Sequence, residues 1–227
     1  MRGRARWAGL AVAALAATAC SSTPVVNPRT LLASARQTID AAQAIHFTLN
    51  TEGPHGTGVV VVGGNGDFAR PDQFRGTLDV DANGFPLHIK AVSVGGRFWV
   101  QLPFSNGYSA TDPSKYGFAD PAKLINRQQG ITSLLTAATS VRSAGTVRYQ
   151  GELLDEVSAT LPGTLVKSLL VDAAPDRPVQ GRFGVDPTSH QVRQVRLTGP
   201  FFQAAQDSTF VLVLDHYGEH LVVTSPG

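Results

Sequence analysis

Two histidines near the end of the chain have the spacing of a zinc-binding motif. His216 and His220 lie in the sequence His-Tyr-Gly-Glu-His, which fits the pattern H-x-x-E-H of one class of zinc protease. That chemistry requires both imidazoles on one face of a helix, one turn apart. Residues 211–215 and 221–223 instead have the composition of strands, and Gly218 between them is typical of a turn. We therefore interpret the segment as a hairpin and predict no metal site.

A glycine-rich segment fits the loose dinucleotide-binding pattern G-x-G-x-x-A. Residues 64–69 form this match, and four consecutive valines at 59–62 precede it with Gly63 between. In dinucleotide-binding folds a helix begins at these glycines and points its N-terminus at the pyrophosphate. Arg70-Pro71 would end that helix within its first turns, because proline cannot continue the hydrogen-bond ladder. The sequence therefore predicts a hairpin loop here, with a turn at residues 63–66, and no cofactor.

Ser93 lies in a segment similar to the nucleophile elbow of α/β hydrolases. The elbow needs a strand, a sharp turn and then a helix, whereas residues 96–100 have the pattern of another strand. We interpret Ser93 as an ordinary strand residue. Asp79 and Asp81 share one face of a strand whose other face is apolar, which is typical of a solvated surface rather than an acid pair. These patterns predict a protein that is not an enzyme.

The only cysteine, Cys20, follows a segment that is typical of a secretory signal. Three arginines lie within the first six residues, and an apolar run at 7–17 follows, too short to span a bilayer. Small residues at 17–19 lead into Cys20, an arrangement similar to the bacterial lipobox, in which the cysteine is acylated before cleavage. We expect a signal peptide at residues 1–19 and a lipid anchor on Cys20. The remaining alternative is an ordinary signal peptide that ends beside a cysteine by chance.

Composition limits what the exported part can be. Cleavage after residue 19 would leave 208 residues and lower the formal net charge from +2 to −1, because three arginines leave with the signal. A nearly neutral domain lacks the basic surface of a nucleic-acid-binding protein. With one cysteine in the chain, no internal disulfide can form. We expect a lipidated tether at 20–27 and a single domain at 28–227, monomeric and held together by packing.

Hydrophobic periodicity predicts one helix followed by many strands. Apolar residues recur at helical spacing over 29–44, and a period of two follows. Short helical segments are expected from Asp120-Pro121 to about 140 and at 163–172, so the fold class is α+β. A slip of the alternating pattern at Ala91-Val92 predicts a β-bulge. The predicted strands cover residues 46–50, 57–62, 76–82, 87–94, 97–102, 145–151, 153–160, 179–186, 191–198, 208–215 and 219–224.

The order of these elements resembles the mycobacterial LppX/LprG-type lipoproteins (LppX, LprA, LprF and LprG) across nearly the whole exported chain. Each segment is a weak signal by itself, and their order and spacing carry the likeness. The segments are the first helix into Ala44-Ile45-His46-Phe47-Thr48-Leu49, the strands at 76–82 and 87–100, Phe118-Ala119-Asp120-Pro121-Ala122-Lys123-Leu124, Gly130-Ile131-Thr132-Ser133-Leu134-Leu135 and the ending at 217–226.

The resemblance implies a fold with an internal cavity. The expected architecture is a curved antiparallel β-sheet half-barrel with helices packed on its concave face, enclosing a hydrophobic cavity for acyl chains. Inward-facing strand residues and the inserted helices would line that cavity. The same residues could instead form a filled core. They are Leu78, Val80, Leu87, Ile89, Val92, Val94, Phe98, Val100, Ile131, Leu134 and Leu135.

The resemblance also implies a function in the cell envelope. It suggests a protein anchored to the extracytoplasmic face of the cell membrane that binds acylated lipids or lipoglycans and carries them across the envelope. A membrane transporter is a candidate partner. The alternative is a surface lipoprotein with a filled core that scaffolds other envelope proteins. Lipid that co-purifies with the non-acylated domain would separate the two.

Overall fold

The computed structural model describes residues 27–128 and 130–226, and its strands form one antiparallel sheet. The eleven strands lie in the order β6-β5-β4-β3-β2-β1-β11-β10-β9-β8-β7. They are β1 (Ala44–Glu52), β2 (Val59–Ala69), β3 (Gln73–Ala82), β4 (Phe85–Val94), β5 (Arg97–Gln101), β6 (Ser109–Thr111), β7 (Thr139–Tyr149), β8 (Glu152–Leu161), β9 (Val179–Val185), β10 (Val192–Gln203) and β11 (Gln206–Asp215).

The helices lie on one face of this sheet, as expected for the α+β half-barrel. Segment 112–138 connects β6 at one edge of the sheet to β7 at the other, so it must cross that face. Within it, the 3₁₀ helix Pro121–Ile125 contacts β2, β3 and β4. The described helices are α1 (Pro28–Ala41), α2 (Ile131–Ala137), α3 (Gly163–Lys167) and the 3₁₀ helices Pro113–Tyr116 and Pro121–Ile125. No described helix is long and apolar enough to cross a bilayer.

Helix α1 begins where the sequence predicts and ends slightly earlier. The Asn27 side chain accepts hydrogen bonds from the amides of Arg29 (2.9 Å) and Thr30 (3.4 Å), and Pro28 occupies the first turn. This is the usual stabilisation of a helix start, because those amides have no partner within the helix. The buried face consists of Leu31, Leu32, Ala35 and Ile39.

Arg70 fixes the last turn of α1 to the rest of the helical layer. Its guanidinium donates to the carbonyl oxygens of Ala42 (2.8 Å), Ile39 (2.9 Å) and Ile125 (2.7 Å). The first two belong to the end of α1 and the third to the 3₁₀ helix. Burial lowers the pKa of Arg70, and the nearby charge of Arg127 acts in the same direction. A cation at a helix C-terminus also interacts favourably with the helix dipole.

The glycine-rich segment at 63–66 is part of a strand, so the predicted turn and hairpin loop are wrong. Strand β2 continues through Ala69, and the turn to β3 occurs at residues 70–72. Gly66 and Gly76 are directly paired, and a Cβ on Gly66 would lie 2.6 Å from the Gly76 Cα. Glycine is required here by the close approach of two backbones. A bulge shifts the β2–β3 register between Val61 and Gly63.

Two further predictions about the strands are wrong. The β3–β4 register is regular from Gln73–Val94 to Ala82–Phe85, so the predicted bulge at Ala91-Val92 is absent. Residues 219–224 form no strand, because the chain after the turn at Gly218 crosses the outer face instead of pairing back. The Gly218 amide donates to the Ala44 carbonyl oxygen (2.8 Å), and the Val223 amide donates to the Gln73 side chain (2.9 Å).

Replacement of Gly66 by alanine tests the close approach of β2 and β3. The added methyl group would overlap the β3 backbone, so we expect Gly66→Ala to lower the free energy of unfolding by about 3 kcal/mol. Gly107→Ala is the control, because nothing lies within 4 Å of its Cβ position. Equal stabilities of the two variants in urea unfolding would contradict the close packing.

Replacement of Arg70 by methionine tests the attachment of α1. The change leaves three carbonyl oxygens without their donor, and we expect unfolding free energy to fall by about 2–4 kcal/mol. Arg75→Met is the matched control, since Arg75 is half-exposed and pairs only with Asp67 on the outer face. Such surface pairs contribute about 0–1 kcal/mol. A loss at Arg70 no larger than at Arg75 in the same unfolding experiment would refute this role.

Candidate functional site

An apolar cavity lies between the inner face of the sheet and the helical layer. Its volume is about 1140 Å³ up to and including the space at its open mouth. Leu49, Phe202 and Leu212 belong to the wall and are only half-buried, as are several residues of the helical side. The sheet side of the wall consists of Phe47, Leu49, Val61, Phe68, Phe74, Leu78, Leu197, Phe201, Phe202, Phe210 and Leu212.

Aromatic rings and glycines together shape the floor of the cavity. Phe47 and Phe68 stack with their centroids 4.6 Å apart, and Phe74 lies 5.5 Å from Phe68. Phe47 is paired across the strands with Gly66, which is paired in turn with Gly76. The Phe74 ring lies over Gly76, 3.2 Å from the position that a Cβ would take there. The glycines therefore leave room for the aromatic rings that form the floor.

The helical side of the cavity, here called the roof, comes from segments inserted between strands in both halves of the sheet. Its members are Tyr116, Gly117, Phe118, Pro121, Leu124, Ile131, Leu134, Val166, Leu169, Leu170 and Asp172. Two backbone hydrogen bonds join the inserts. The Ala119 amide donates to the Leu169 carbonyl oxygen (2.9 Å), and the Val171 amide donates to that of Gly117 (3.1 Å). These bonds hold the roof segments together across the cavity.

The wall offers very few polar groups. Among the described residues that line the cavity, Asp172 is the only charged one, and it is exposed. Tyr116 contributes a phenol whose pKa is raised by burial, so it stays neutral at physiological pH. A charged ligand group in the interior would have no cation to neutralise it, and burial of an unpaired charge is costly. The cavity therefore suits apolar chains.

Comparison with known proteins identifies the family. The model of the LppX_LprAFG lipoprotein family matches residues 27–221. The chain belongs to this family. It is 26% identical over 175 residues to LppX of Mycobacterium tuberculosis, named as a candidate phthiocerol dimycocerosate transporter, covering 75% of this chain and 72% of that protein. The same match is found with LppX of Mycobacterium bovis.

Solved structures of LppX_LprAFG lipoproteins have the same fold. LprF from Mycobacterium bovis superimposes with a TM-score of 0.71 at 10% identity, covering 87% of this chain and 96% of that one. LppX from Mycobacterium tuberculosis superimposes with a TM-score of 0.60 at 19% identity, covering 87% of this chain and 100% of that one. The fold predicted from the family resemblance is therefore confirmed.

The structure places only some of the predicted cavity residues in the wall. Leu78, Ile131 and Leu134 line the cavity. A second group belongs to the hydrophobic core but lies outside the cavity wall, where neighbouring side chains cover it. This group consists of Val80, Leu87, Ile89, Phe98, Val100 and Leu135.

The assignment of Val92 and Val94 to the cavity is wrong. Regular β3–β4 pairing puts Val92 opposite Arg75 and Val94 opposite Gln73, on the outer face of the sheet. Ala91 and Ser93 take the inner positions instead. Val92 is buried nonetheless, opposite Trp99 on β5. The outer face is thus partly apolar in this LppX_LprAFG lipoprotein, which explains why alternation misled the prediction.

Sequence reasoning missed much of the wall. Phe47 and Leu49 on β1, and the residues of β10 and β11, were not predicted, because strand order cannot be read from local patterns. One usable signal was present: Phe201-Phe202 lie in the short connection between the predicted strands 191–198 and 208–215, close in sequence to Phe210. In the structure Phe201 and Phe210 lie 4.7 Å apart between centroids, and Phe202 and Phe210 lie 5.5 Å apart.

The motifs that suggested chemistry have structural explanations. The His216 Nδ1 lies 3.0 Å from Asp215, and its ring lies 5.6 Å from that of His46, while His220 is exposed after the turn. No group of potential metal ligands occurs in residues 27–128 and 130–226. The buried Ser93 hydroxyl donates to Asp120 (2.6 Å), which also accepts from the Ala122 amide and so caps the 3₁₀ helix.

Proposed function

We propose that the protein is a membrane-anchored lipoprotein that binds the acyl chains of lipids or glycolipids in this cavity and carries them across the cell envelope. The observation that carries the proposal is the almost wholly apolar cavity between the sheet and the helical layer. Ligand sites in proteins are typically concave and lined mostly by hydrophobic and aromatic side chains. The wall therefore has the chemical character that a lipid tail requires.

Transfer energetics explain why such a cavity is useful. Exposure of one methylene to water costs about 0.8 kcal/mol, so an acyl chain of about sixteen carbons would cost on the order of 12 kcal/mol. Movement of that chain from a bilayer into an apolar cavity avoids most of this cost, because both environments are apolar. The protein can therefore remove lipids from a membrane without an energy source.

The wall also indicates which part of a lipid is bound. Phe47, Phe68 and Phe74 at the floor offer rings to methylene groups, whereas the described residues place no cation in the wall to hold a phosphate or carboxylate. We infer that the tails enter and the headgroup stays at the mouth. The name of the LppX relative, a candidate phthiocerol dimycocerosate transporter, agrees with a strongly apolar cargo. The membership of the present chain in a lipoprotein family and its apolar cavity favour a lipid carrier over an enzyme.

The membrane anchor belongs to the same proposal. Cys20 and the signal peptide at 1–19 lie outside the described residues. We propose that acylated Cys20, followed by a tether to residue 27, holds one monomeric domain at the extracytoplasmic face of the cell membrane. Seven extended residues reach about 25 Å. A membrane transporter that supplies or accepts lipid is a proposed partner.

Extraction of the purified protein tests whether the cavity carries lipid. The mature chain with Cys20→Ser should release acylated lipid into organic solvent, detected by mass spectrometry. Leu78→Trp adds an indole to the cavity wall, so we expect bound lipid to fall at least severalfold while the melting temperature changes little. Lys90→Trp is the control, since Lys90 is exposed on the outer face of the neighbouring strand.

A different outcome would support the scaffold alternative. If no lipid can be extracted from the parent, and Leu78→Trp is destabilised by about 1–3 kcal/mol as in an overpacked core, the space is not a binding site. Equal lipid loss in Leu78→Trp and Lys90→Trp would mean that the effect is not specific to the cavity.

Replacement of Cys20 tests the anchor. Because Cys20 is the only cysteine, Cys20→Ser removes the only possible acylation site on a thiol. We expect the protein to move from the detergent phase to the aqueous phase in a partition experiment, and the acyl groups to disappear from its N-terminal peptide. Retention in washed membranes after salt and carbonate treatment would show that another feature anchors the chain.

A further inference from the structure

Three connections meet at one end of the sheet, here called the loop end. They are residues 53–58 after β1, 83–84 after β3 and 102–108 after β5. Because the strands are antiparallel, the turns at 70–72 and 95–96 lie at the opposite end. Large apolar side chains are exposed at the loop end: Val59 is 42% exposed, Phe85 72%, Leu102 50% and Phe104 fully.

The three connections of the loop end contain no formally charged residue themselves, although the Asp81 carboxylate at the end of β3 accepts a hydrogen bond from the Gly84 amide (2.6 Å). Residues 53–60, 82–87 and 102–110 contain no aspartate, glutamate, lysine or arginine. The turn at 70–72 at the opposite end, by contrast, includes Arg70 and Asp72. Charged groups oppose entry into a lipid interface because they must be desolvated, whereas aromatic and aliphatic side chains favour it. The composition of the loop end suits contact with lipid.

Phe104 occupies a backbone position that favours another residue type. The Ser105 amide donates to the Leu102 carbonyl oxygen (3.1 Å), which closes a four-residue turn with Pro103 second and Phe104 third. Phe104 has a φ of +65°. In such turns glycine or asparagine is preferred at this position, since a side chain is strained there. A fully exposed phenylalanine gains no packing energy within its own chain. We therefore expect its side chain to contact another molecule.

The cavity reaches the loop end. Phe202 belongs to the cavity wall, and the His55 ring of the first connection lies 6.4 Å from it. The Ser208 hydroxyl, at the start of β11, donates to the Pro54 carbonyl oxygen and ties the same connection to the wall strands. A membrane against the loop end would therefore lie beside this part of the cavity wall.

We propose that the loop end docks on the surface of a lipid bilayer, with Phe104, Leu102 and Phe85 inserted among the lipids. This inference rests on the proposed function, because it supplies the orientation in which the cavity can exchange lipid with the membrane. The partner is the bilayer itself and not a protein.

A fluorescent probe tests the orientation. In the mature chain with Cys20→Ser, an introduced cysteine is the only thiol, so Phe104→Cys can be labelled with an environment-sensitive dye. With vesicles of phosphatidylcholine and phosphatidylglycerol, we expect a blue shift and increased emission. Leu153→Cys is the matched control, because Leu153 is 52% exposed and lies at the opposite end of the sheet. Its emission should not change.

A substitution separates docking from folding. Asparagine tolerates positive φ, so Phe104→Asn should keep or raise the melting temperature. We expect it to weaken vesicle binding by about tenfold, the equivalent of losing one buried aromatic side chain. Leu153→Ser removes a similar apolar group elsewhere and should leave vesicle binding unchanged. Equal weakening in both variants would overturn the proposal.

The remaining outcomes also decide the matter. If the dye at residue 104 keeps the emission that it has in water when vesicles are added, the loop end does not dock. The same holds if the emission of the dye at residue 153 changes equally. If the emission of the dye at residue 104 changes with protein concentration in the absence of vesicles, the loop end is a self-association surface, and the membrane contact is refuted. Lipid extraction from the same preparations distinguishes the failure of docking from the failure of the proposed function. If lipid is bound but the dye does not respond to vesicles, only the docking proposal is rejected. If the dye responds to vesicles but no lipid is bound, only the lipid-carrier function is rejected.

Discussion

The close approach of β2 and β3 at Gly66 and Gly76 is the constraint on which the cavity floor depends. No side chain fits between these backbones. Because Gly76 has no Cβ, the Phe74 ring lies over it, next to Phe68 and Phe47. Larger residues at the two glycines would separate the strands and displace these rings. Sheet geometry and the position of the aromatic floor therefore have a common cause in two positions without side chains.

Polar interactions sit at the margins of this apolar interior. Arg70 fastens the end of α1 to the helical layer, and Ser93 reaches Asp120 at the start of a 3₁₀ helix. The hydrogen bonds between Gly117 and Val171 and between Ala119 and Leu169 join the roof segments. Because these links lie around the cavity rather than inside it, an apolar ligand can enter without breaking a buried hydrogen bond.

Local patterns predicted the elements better than the site. The start of α1 followed from Asn27-Pro28 and helical spacing, and the inward position of Leu78 followed from alternation. The glycines at 63–66 were misassigned because a glycine run signals a turn locally, whereas here its reason is the neighbouring strand. Val92 was misassigned because an apolar outer face is possible where Trp99 and the C-terminal segment cover the sheet. The wall residues of β10 and β11 required knowledge of strand order, which depends on pairing between distant segments.

The position of β1 in the middle of the sheet has a consequence for the order of assembly. One of its edges pairs with β2 immediately, but the other pairs with β11, the last strand in the chain. Until residues 206–215 have emerged, β1 presents an unpaired edge, and the far wall of the cavity does not exist. Such long-range pairing makes folding slow and leaves partly made chains prone to aggregation. A chain that stops before its last strand would therefore expose an aggregation-prone strand edge and would lack a complete cavity for a ligand.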